Sequence, residues 1–268
     1  MPTRDIIQGN LALIQQRIAA ACDRVGRLPQ AVRLVAVTKY APLDWVRELI
    51  ALGQRDLGES RPQQLAQRAT QLRSQISDFR SPSEISNLRS PIELRDMQLL
   101  AEDAAGTQPD SPVCWHLIGH LQRNKAELAV RTAALIHSVD SLRLLDQLEH
   151  EARRQQLHPR VLLEVNVSGE GSKDGFNPDD LRASSLRLAE YSAVQIEGLM
   201  TMAPHSNDAE LARPVFAALR ELRGELTTLS DGRLNIPQLS MGMSGDFEIA
   251  IEEGATLVRI GSSLFEGC

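Results

Sequence analysis

The chain has 268 residues, 42% of them hydrophobic, and a formal net charge of −6. That length suits one large α/β core, and the acidic balance lacks the basic stripe that a nucleic-acid backbone reader needs. Cys22, Cys114 and Cys268 are odd in number, far apart and without a CxxC spacing, which argues against a disulfide framework or a zinc knuckle.

Residues 5–25 set Ile6, Ile7, Leu11, Ile14, Ile18, Ala21 and Val25 at helical spacing before a Gly26 stop. This predicts an amphipathic leading helix packed on a core. No apolar leader follows Met1-Pro2-Thr3-Arg4-Asp5 and no run of about 18 apolar residues occurs, so a cytoplasmic protein with no membrane contact is expected. The chain then alternates. Strand patterns fall near 32–38, 55–58, 114–118, 135–139, 160–166, 194–201, 237–241 and 256–260. Helical patterns fall near 42–52, 61–75, 123–133, 141–156, 178–190, 207–229 and 245–253. Eight strands with helical crossovers, several of them apolar throughout, predict an α/β fold: a single (β/α)8 TIM-type barrel over residues 1–268. An open doubly wound sheet is the alternative, but no GxGxxG follows the first strand and no Walker A is present.

One stretch breaks the alternation. Residues 76–84 are nearly repeated at 85–93, a tandem nonapeptide rich in serine, proline and charge. Two copies cannot make a solenoid. The segment 76–111 therefore reads as a surface insertion between a helix and the third strand.

Chemistry in such a barrel sits at the C-terminal ends of the strands, and phosphates are often held after strands seven and eight. Lys39 closes the first apolar run, at the barrel mouth. Partial burial there favours the neutral amine, which attacks aldehydes. A lysine after a strand is ordinarily just a solvated end residue. Here, however, Gly242-Met243-Ser244-Gly245 follows strand seven and Gly261-Ser262-Ser263 follows strand eight, each opening a helix pattern and able to offer backbone N–H groups to a phosphate. Strand one neighbours strand eight in a closed barrel, so the amine and both turns meet on one rim. An aldehyde trap beside a phosphate cradle suggests pyridoxal 5'-phosphate (PLP). Arg259, in an apolar run, either pairs with a buried carboxylate, Asp246 and Glu248 being candidates, or points into the barrel mouth. His116 and His120 lack metal-site spacing and read as hydrogen-bonded structural residues, so no metal is expected. GMSGD lacks the second glycine of a nucleophile elbow.

VAVTK at 35–39, GES at 58–60, WHLIGHLQRNK at 115–125, SKDG at 172–175, GLMTM at 198–202, LSMGMSGDFEIAI at 239–251 and VRIGSSLFEG at 258–267 together resemble the pyridoxal phosphate homeostasis proteins. The resemblance implies a fold-type III PLP barrel, similar to the N-terminal domain of alanine racemase. It also implies a role in vitamin B6 and amino-acid or keto-acid balance without established turnover, so no catalytic residue. By the same resemblance, Lys39 is the Schiff-base lysine, Arg259 faces the pyridine nitrogen, and Ser244, Gly261 and Ser262 form the phosphate cradle; Met243 and Gly245, in the same turn as Ser244, are also expected to bind the cofactor. Ser60 stands where the family reads asparagine near the ring, and His120 where it reads proline. Partners implied are PLP and possible PLP-dependent apoenzymes or regulatory proteins, with the chain a monomer or weak dimer.

Two other functions share the lysine. A fold-type III racemase or decarboxylase needs a base on the second face of its substrate. In alanine racemase-like enzymes that is a tyrosine supplied through another domain and subunit, whereas the tyrosines here are Tyr40 and Tyr191. Tyr40, next to Lys39, would project away from it on a continuing strand. A cofactor-free Schiff-base aldolase would leave the two phosphate turns to an undefined sugar phosphate.

Overall fold

A computed structural model describes residues 2–76, 113–169, 174–204 and 206–268. The strands are β1 Arg33–Val37, β2 Asp56–Glu59, β3 Cys114–Leu117, β4 Leu135–Val139, β5 Arg160–Glu164, β6 Gln195–Met200, β7 Gln238–Ser240 and β8 Leu257–Ile260. They pair in parallel, in chain order, and β8 pairs back onto β1 to close the barrel. The predicted (β/α)8 topology is therefore the observed one. The outer layer is α1 Pro2–Arg24, α2 Leu43–Ala51, α3 Pro62–Ile76, α4 Ala126–Thr132, α5 Leu142–Gln155, α6 Pro178–Leu188, α7 Arg213–Leu229 and α8 Phe247–Glu252. Except for Ile76, the last residue of α3, the repeat at 76–93 and the expected insertion at 76–111 lie outside the described residues.

Period-two alternation sorts each strand between two cores. Leu34, Ala36, Leu57, Trp115, Leu117 and Ile136 point outward into the large sheet–helix core. Val35, Leu135, Leu162, Met200 and Leu257 form a separate cluster inside the barrel. Arg259 is two residues beyond Leu257 on β8, so it shares the inward face. The bottom of the interior is charged: Arg160 of β5 donates to both carboxylate oxygens of Glu197 of β6 through Nε and Nη2, and Arg33 lies 4.0 Å from Asp56.

The leading helix buries Ile7, Leu11, Ile14, Ile18, Ala21 and Cys22, while Val25 falls past its end and is exposed. It straps the last barrel unit. Arg17 makes a two-bond pair with Glu248 of α8, Arg24 pairs Glu252 at 2.7 Å, and Asn10 donates to the carbonyls of Leu264 and Glu266.

Two glycines in the outer rim and helix layer have opposite mechanics. Gly242 has φ +92, and a Cβ there would lie 2.6 Å from Ala250 Cβ and 2.8 Å from Phe247 Cα. Gly224, inside α7, has open space around it. Gly242→Ala should therefore destabilise the fold by about 2 kcal/mol or more, and Gly224→Ala should stabilise it by about 0.5–1 kcal/mol. Urea unfolding of the two variants without added ligand checks the opposite signs.

Candidate functional site

Lys39 and the two glycine turns share one rim. The end of β8 runs tight against β1: a Cβ on Gly261 would meet Val37 Cβ at 3.2 Å and Val37 O at 3.3 Å. Arg259 N donates to Gly242 O at 3.0 Å, tying the turn after β7 to β8. Within that turn Met243 N donates to Asp246 Oδ1 and Phe247 N to Met243 O. The N–H groups of Ser244 and Gly245, and of Ser262 and Ser263 opening a 3-10 turn, have no acceptor among the described residues. Exposed Met243 flanks them.

Strand β1 ends at Val37, two residues short of Lys39, and a turn follows. Strand alternation thus does not govern residues 39 and 40. Contrary to the expectation that Tyr40 projects away, its ring centroid lies 5.1 Å from Lys39 Nζ, and Tyr40 is 89% exposed. The lysine loop is clamped from behind. Gln64 Nε2 donates to Lys39 O at 2.9 Å, Arg68 Nη2 to Ala41 O at 2.7 Å, and Thr38 Oγ1 to Glu59 Oε1 at 2.6 Å. Glu59 is fully buried and also pairs with Arg68 Nε at 3.1 Å. Burial pushes its carboxyl up, against the Thr38 hydrogen bond and the Arg68 charge. Glu59 Oε2 and Arg68 Nη1 are buried without a hydrogen-bond partner among the described residues.

Sequence reasoning singled out Ser60 and passed over its neighbour Glu59; the available signal was a carboxylate closing the run Leu57-Gly58. Ser60 itself is half-buried and packs on Gly119, where a Cβ would come within 2.9 Å of Ser60 Cβ.

Arg259 is 5% exposed and pairs with neither proposed carboxylate. Glu248 belongs to Arg17, and Asp246 attracts Arg259 only from a distance. Instead Arg259 Nη1 donates to Ser240 Oγ at 2.6 Å and Nη2 to Thr201 O at 3.0 Å. A guanidinium has five N–H groups, so these bonds leave three without an acceptor among the described residues. Burial lowers its pKa to about 10, which keeps it cationic at neutral pH.

Behind Ser240 the polar chain continues. His137 Nδ1 lies 2.8 Å from Ser240 Oγ, His137 Nε2 lies 2.9 Å from His116 Nδ1, and His116 Nε2 lies 2.9 Å from Asp56 Oδ1. His116 is thus the hydrogen-bonded structural residue expected. His120 is not part of this chain: it is half exposed on the rim, 3.3 Å from Asp140 and 3.2 Å from Asp174.

Glu164, closing β5, is 6% exposed, and burial followed by the Asp140 charge raises its carboxyl to about 7, opposed by Arg259. A cleft of about 1160 Å³ lies beyond the ends of β3, β4 and β5 and is lined by residues including His120, Arg123, Arg143 and Asn177. It holds none of Lys39, Ser244 or Arg259. Among the described residues no helix is long and apolar enough to cross a membrane.

The family model for the alanine racemase N-terminal domain matches residues 10–267. A pyridoxal phosphate homeostasis protein of Aquifex aeolicus is 36% identical over 95% of each chain. The structure of PipY from Synechococcus elongatus PCC7942 with PLP bound superposes with a TM-score of 0.72 at 32% identity, covering 97% of this chain and 99% of that one. An alanine racemase of Clostridium difficile 630 shares the fold at 13% identity and a TM-score of 0.61, with this chain spanning 56% of its length. A match over almost the whole chain to both the domain model and the curated relative places this chain in the alanine racemase N-terminal domain family, among the pyridoxal phosphate homeostasis proteins.

Proposed function

We propose that this chain, as one barrel domain, binds PLP at the C-terminal rim and serves intracellular vitamin B6 balance in the cytoplasm, holding the cofactor without turnover. The observation that carries this reading is the meeting, on one rim, of a lysine amine, two turns with unspent N–H groups and a buried arginine with unspent donors. Each group fits one part of the ligand. Lys39 serves as the Schiff-base amine. The N–H groups of Ser244, Gly245, Ser262 and Ser263, with the serine hydroxyls and Gly261 giving close approach, suit a phosphate. Arg259 supplies N–H donors to the ring nitrogen and, as a cation, keeps that nitrogen unprotonated. PLP, when bound, supplies an electrophilic aldehyde and a conjugated ring. The relatives' names and the PLP-bound PipY structure support the same ligand.

The clamp of Gln64, Arg68 and Glu59 holds the Lys39 backbone in place, which reduces the ordering cost of binding. Neither tyrosine faces Lys39 from the opposite side of the rim, as a racemase's second base would. Tyr191 precedes β6, at the opposite end of the barrel, and donates to Asp146, with its pKa raised to about 12 by burial and that carboxylate. Tyr40 stands beside Lys39 itself. The positions of the two tyrosines support holding without turnover.

Lys39→Ala should abolish the visible absorption of bound PLP while leaving far-UV circular dichroism unchanged; an unchanged absorption spectrum removes Lys39 from the role. Ser244→Ala and Ser262→Ala should each weaken PLP by about 1–2 kcal/mol, roughly five- to thirtyfold in Kd, by equilibrium titration. Pyridoxal without phosphate should bind far less tightly, and equal affinity for the two would reduce the turns to helix caps. Incubation with L-alanine and PLP in deuterated water should yield no D-alanine beyond that formed by free PLP, and accumulation dependent on Lys39 would establish a racemase.

The raised Glu164 carboxyl has a stability consequence. Its folded value near 7 exceeds the ordinary 4.5, so the folded state binds the proton more tightly than the unfolded state. Stability should fall as pH rises between those two values. Glu164→Gln should remove that slope and gain about 1–3 kcal/mol at pH 8, as measured by urea unfolding across pH 5–8.

A further inference from the structure

Five side chains from five different strands make one unbroken hydrogen-bonded line through the barrel: Arg259 of β8, Ser240 of β7, His137 of β4, His116 of β3 and Asp56 of β2. Ser240 and His137 are fully buried and His116 is 2% exposed. Asp56, the first residue of β2, is at the opposite end of the barrel from Lys39 and retains 22% side-chain exposure.

Donor and acceptor chemistry gives this line a direction. An ionised carboxylate only accepts, so His116 Nε2 must carry a proton. If His116 is neutral, its Nδ1 is an acceptor and His137 Nε2 carries the proton between the rings. Neutral His137 then accepts at Nδ1 from the Ser240 hydroxyl, whose oxygen accepts from Arg259. Every bond points from Arg259 towards Asp56.

One added proton reverses two of these hydrogen bonds. Entering at Ser240 Oγ, it displaces the hydroxyl proton to His137 Nδ1, and the Nε2 proton of His137 passes to His116 Nδ1. His116 becomes an imidazolium on Asp56, His137 becomes the Nδ1–H tautomer, and Ser240 Oγ now accepts from both His137 and Arg259. No atom has to move far, and the charge is gained at His116. The oxygen that holds Arg259 Nη1 is then shared between two donors.

We propose that Ser240, His137, His116 and Asp56 are positioning residues for Arg259, forming a relay whose polarity, set by the proton count of His116, tunes the grip of Arg259 on the PLP ring nitrogen. The proposal rests on the reading that Arg259 faces that ring. The charged groups around the relay are Arg33 of β1 at 4.0 Å from Asp56, Arg160 of β5 with its partner Glu197 of β6, and Arg259 of β8, on which Glu164 of β5 and Asp246 after β7 act as nearby negative charges. Burial, His116, Arg259 and Arg33 all keep His137 from taking a second proton, and the Asp56 carboxylate 2.9 Å from His116 Nε2 makes His116 the ring beside which an added positive charge is compensated. Asp56 is pushed up by burial but held below its ordinary value by His116, Arg33 and Arg160, so it remains the anionic terminus.

The first test uses the unmutated, cofactor-free protein. Long-range 1H–15N NMR between pH 5 and 8 should show the His137 proton moving from Nε2 at high pH to Nδ1 at low pH, at the same midpoint as the titration of His116. A His137 tautomer that stays constant over this range overturns the proposal, whether or not His116 titrates. The second test measures PLP Kd and absorption over the same range. Wild-type affinity should change with the His137 midpoint. Asp56→Asn, remote from the rim, should lower that midpoint. Ser240→Ala should bind PLP about fivefold more weakly and lose the pH step. If Asp56→Asn and Ser240→Ala match wild type while Arg259→Lys weakens PLP, the relay has no hold on Arg259 and the proposal fails. If Arg259→Lys also matches wild type, Arg259 does not face the ring and the proposal fails with that reading.

Discussion

Pairing of β8 with β1 is the constraint on which the rim depends. The register sets Arg33 opposite Leu257 and Ala36 opposite Ile260, so both strands end at the same height. Only that closure brings residue 39 beside residues 242–262. The seam admits little bulk, because the end of β8 touches Val37 at Gly261. Parallel pairing then aims every strand's C-terminal end at one mouth, where loops are free to carry chemistry without disturbing the core.

The interior behind that mouth is unusual for a barrel. Side-chain layers in such folds are dominated by branched apolar residues, and here one apolar cluster of Val35, Leu135, Leu162, Met200 and Leu257 sits among an ion pair and a five-member polar chain. Buried polar groups are tolerated when their hydrogen bonds are made, and half-made networks are costly. The arginine at the top and the aspartate at the bottom give the chain a cationic and an anionic end, and neutral groups join them. Glu59 and Arg68 are different: each keeps one buried atom without a partner next to the Lys39 loop.

The barrel was legible because its strands are short apolar or alternating runs separated by amphipathic stretches of helical length. All eight strands fall within a residue or two of where the pattern puts them. The rim turns were legible because glycine is needed where the backbone takes φ +92, as at Gly242. What could not be read was contact across the barrel. Residues 56, 116, 137, 240 and 259 have no shared spacing, and only the closed topology sets them in line. Tyr40 was misread because alternation was extended past Val37, where the strand stops. Asp246 and Glu248 were proposed as partners of Arg259 from sequence proximity, but α8 turns Glu248 outward to Arg17 on the leading helix.

That leading helix has a consequence for how the chain is made. Its buried face, Ile7, Leu11, Ile14 and Ile18, packs chiefly against α8 and the turn at 262–264, more than two hundred residues later. Contacts with α2 and the turn at 29–31 cover part of this helix from nearby in sequence, but the stripe that meets α8 stays uncovered until the final barrel unit is in place. Contacts of such long sequence separation are slow to form and leave hydrophobic surface open meanwhile. Full burial of this helix is thus coupled to completion of the eighth barrel unit, so that loosening either end of the chain uncovers the apolar surface of the other.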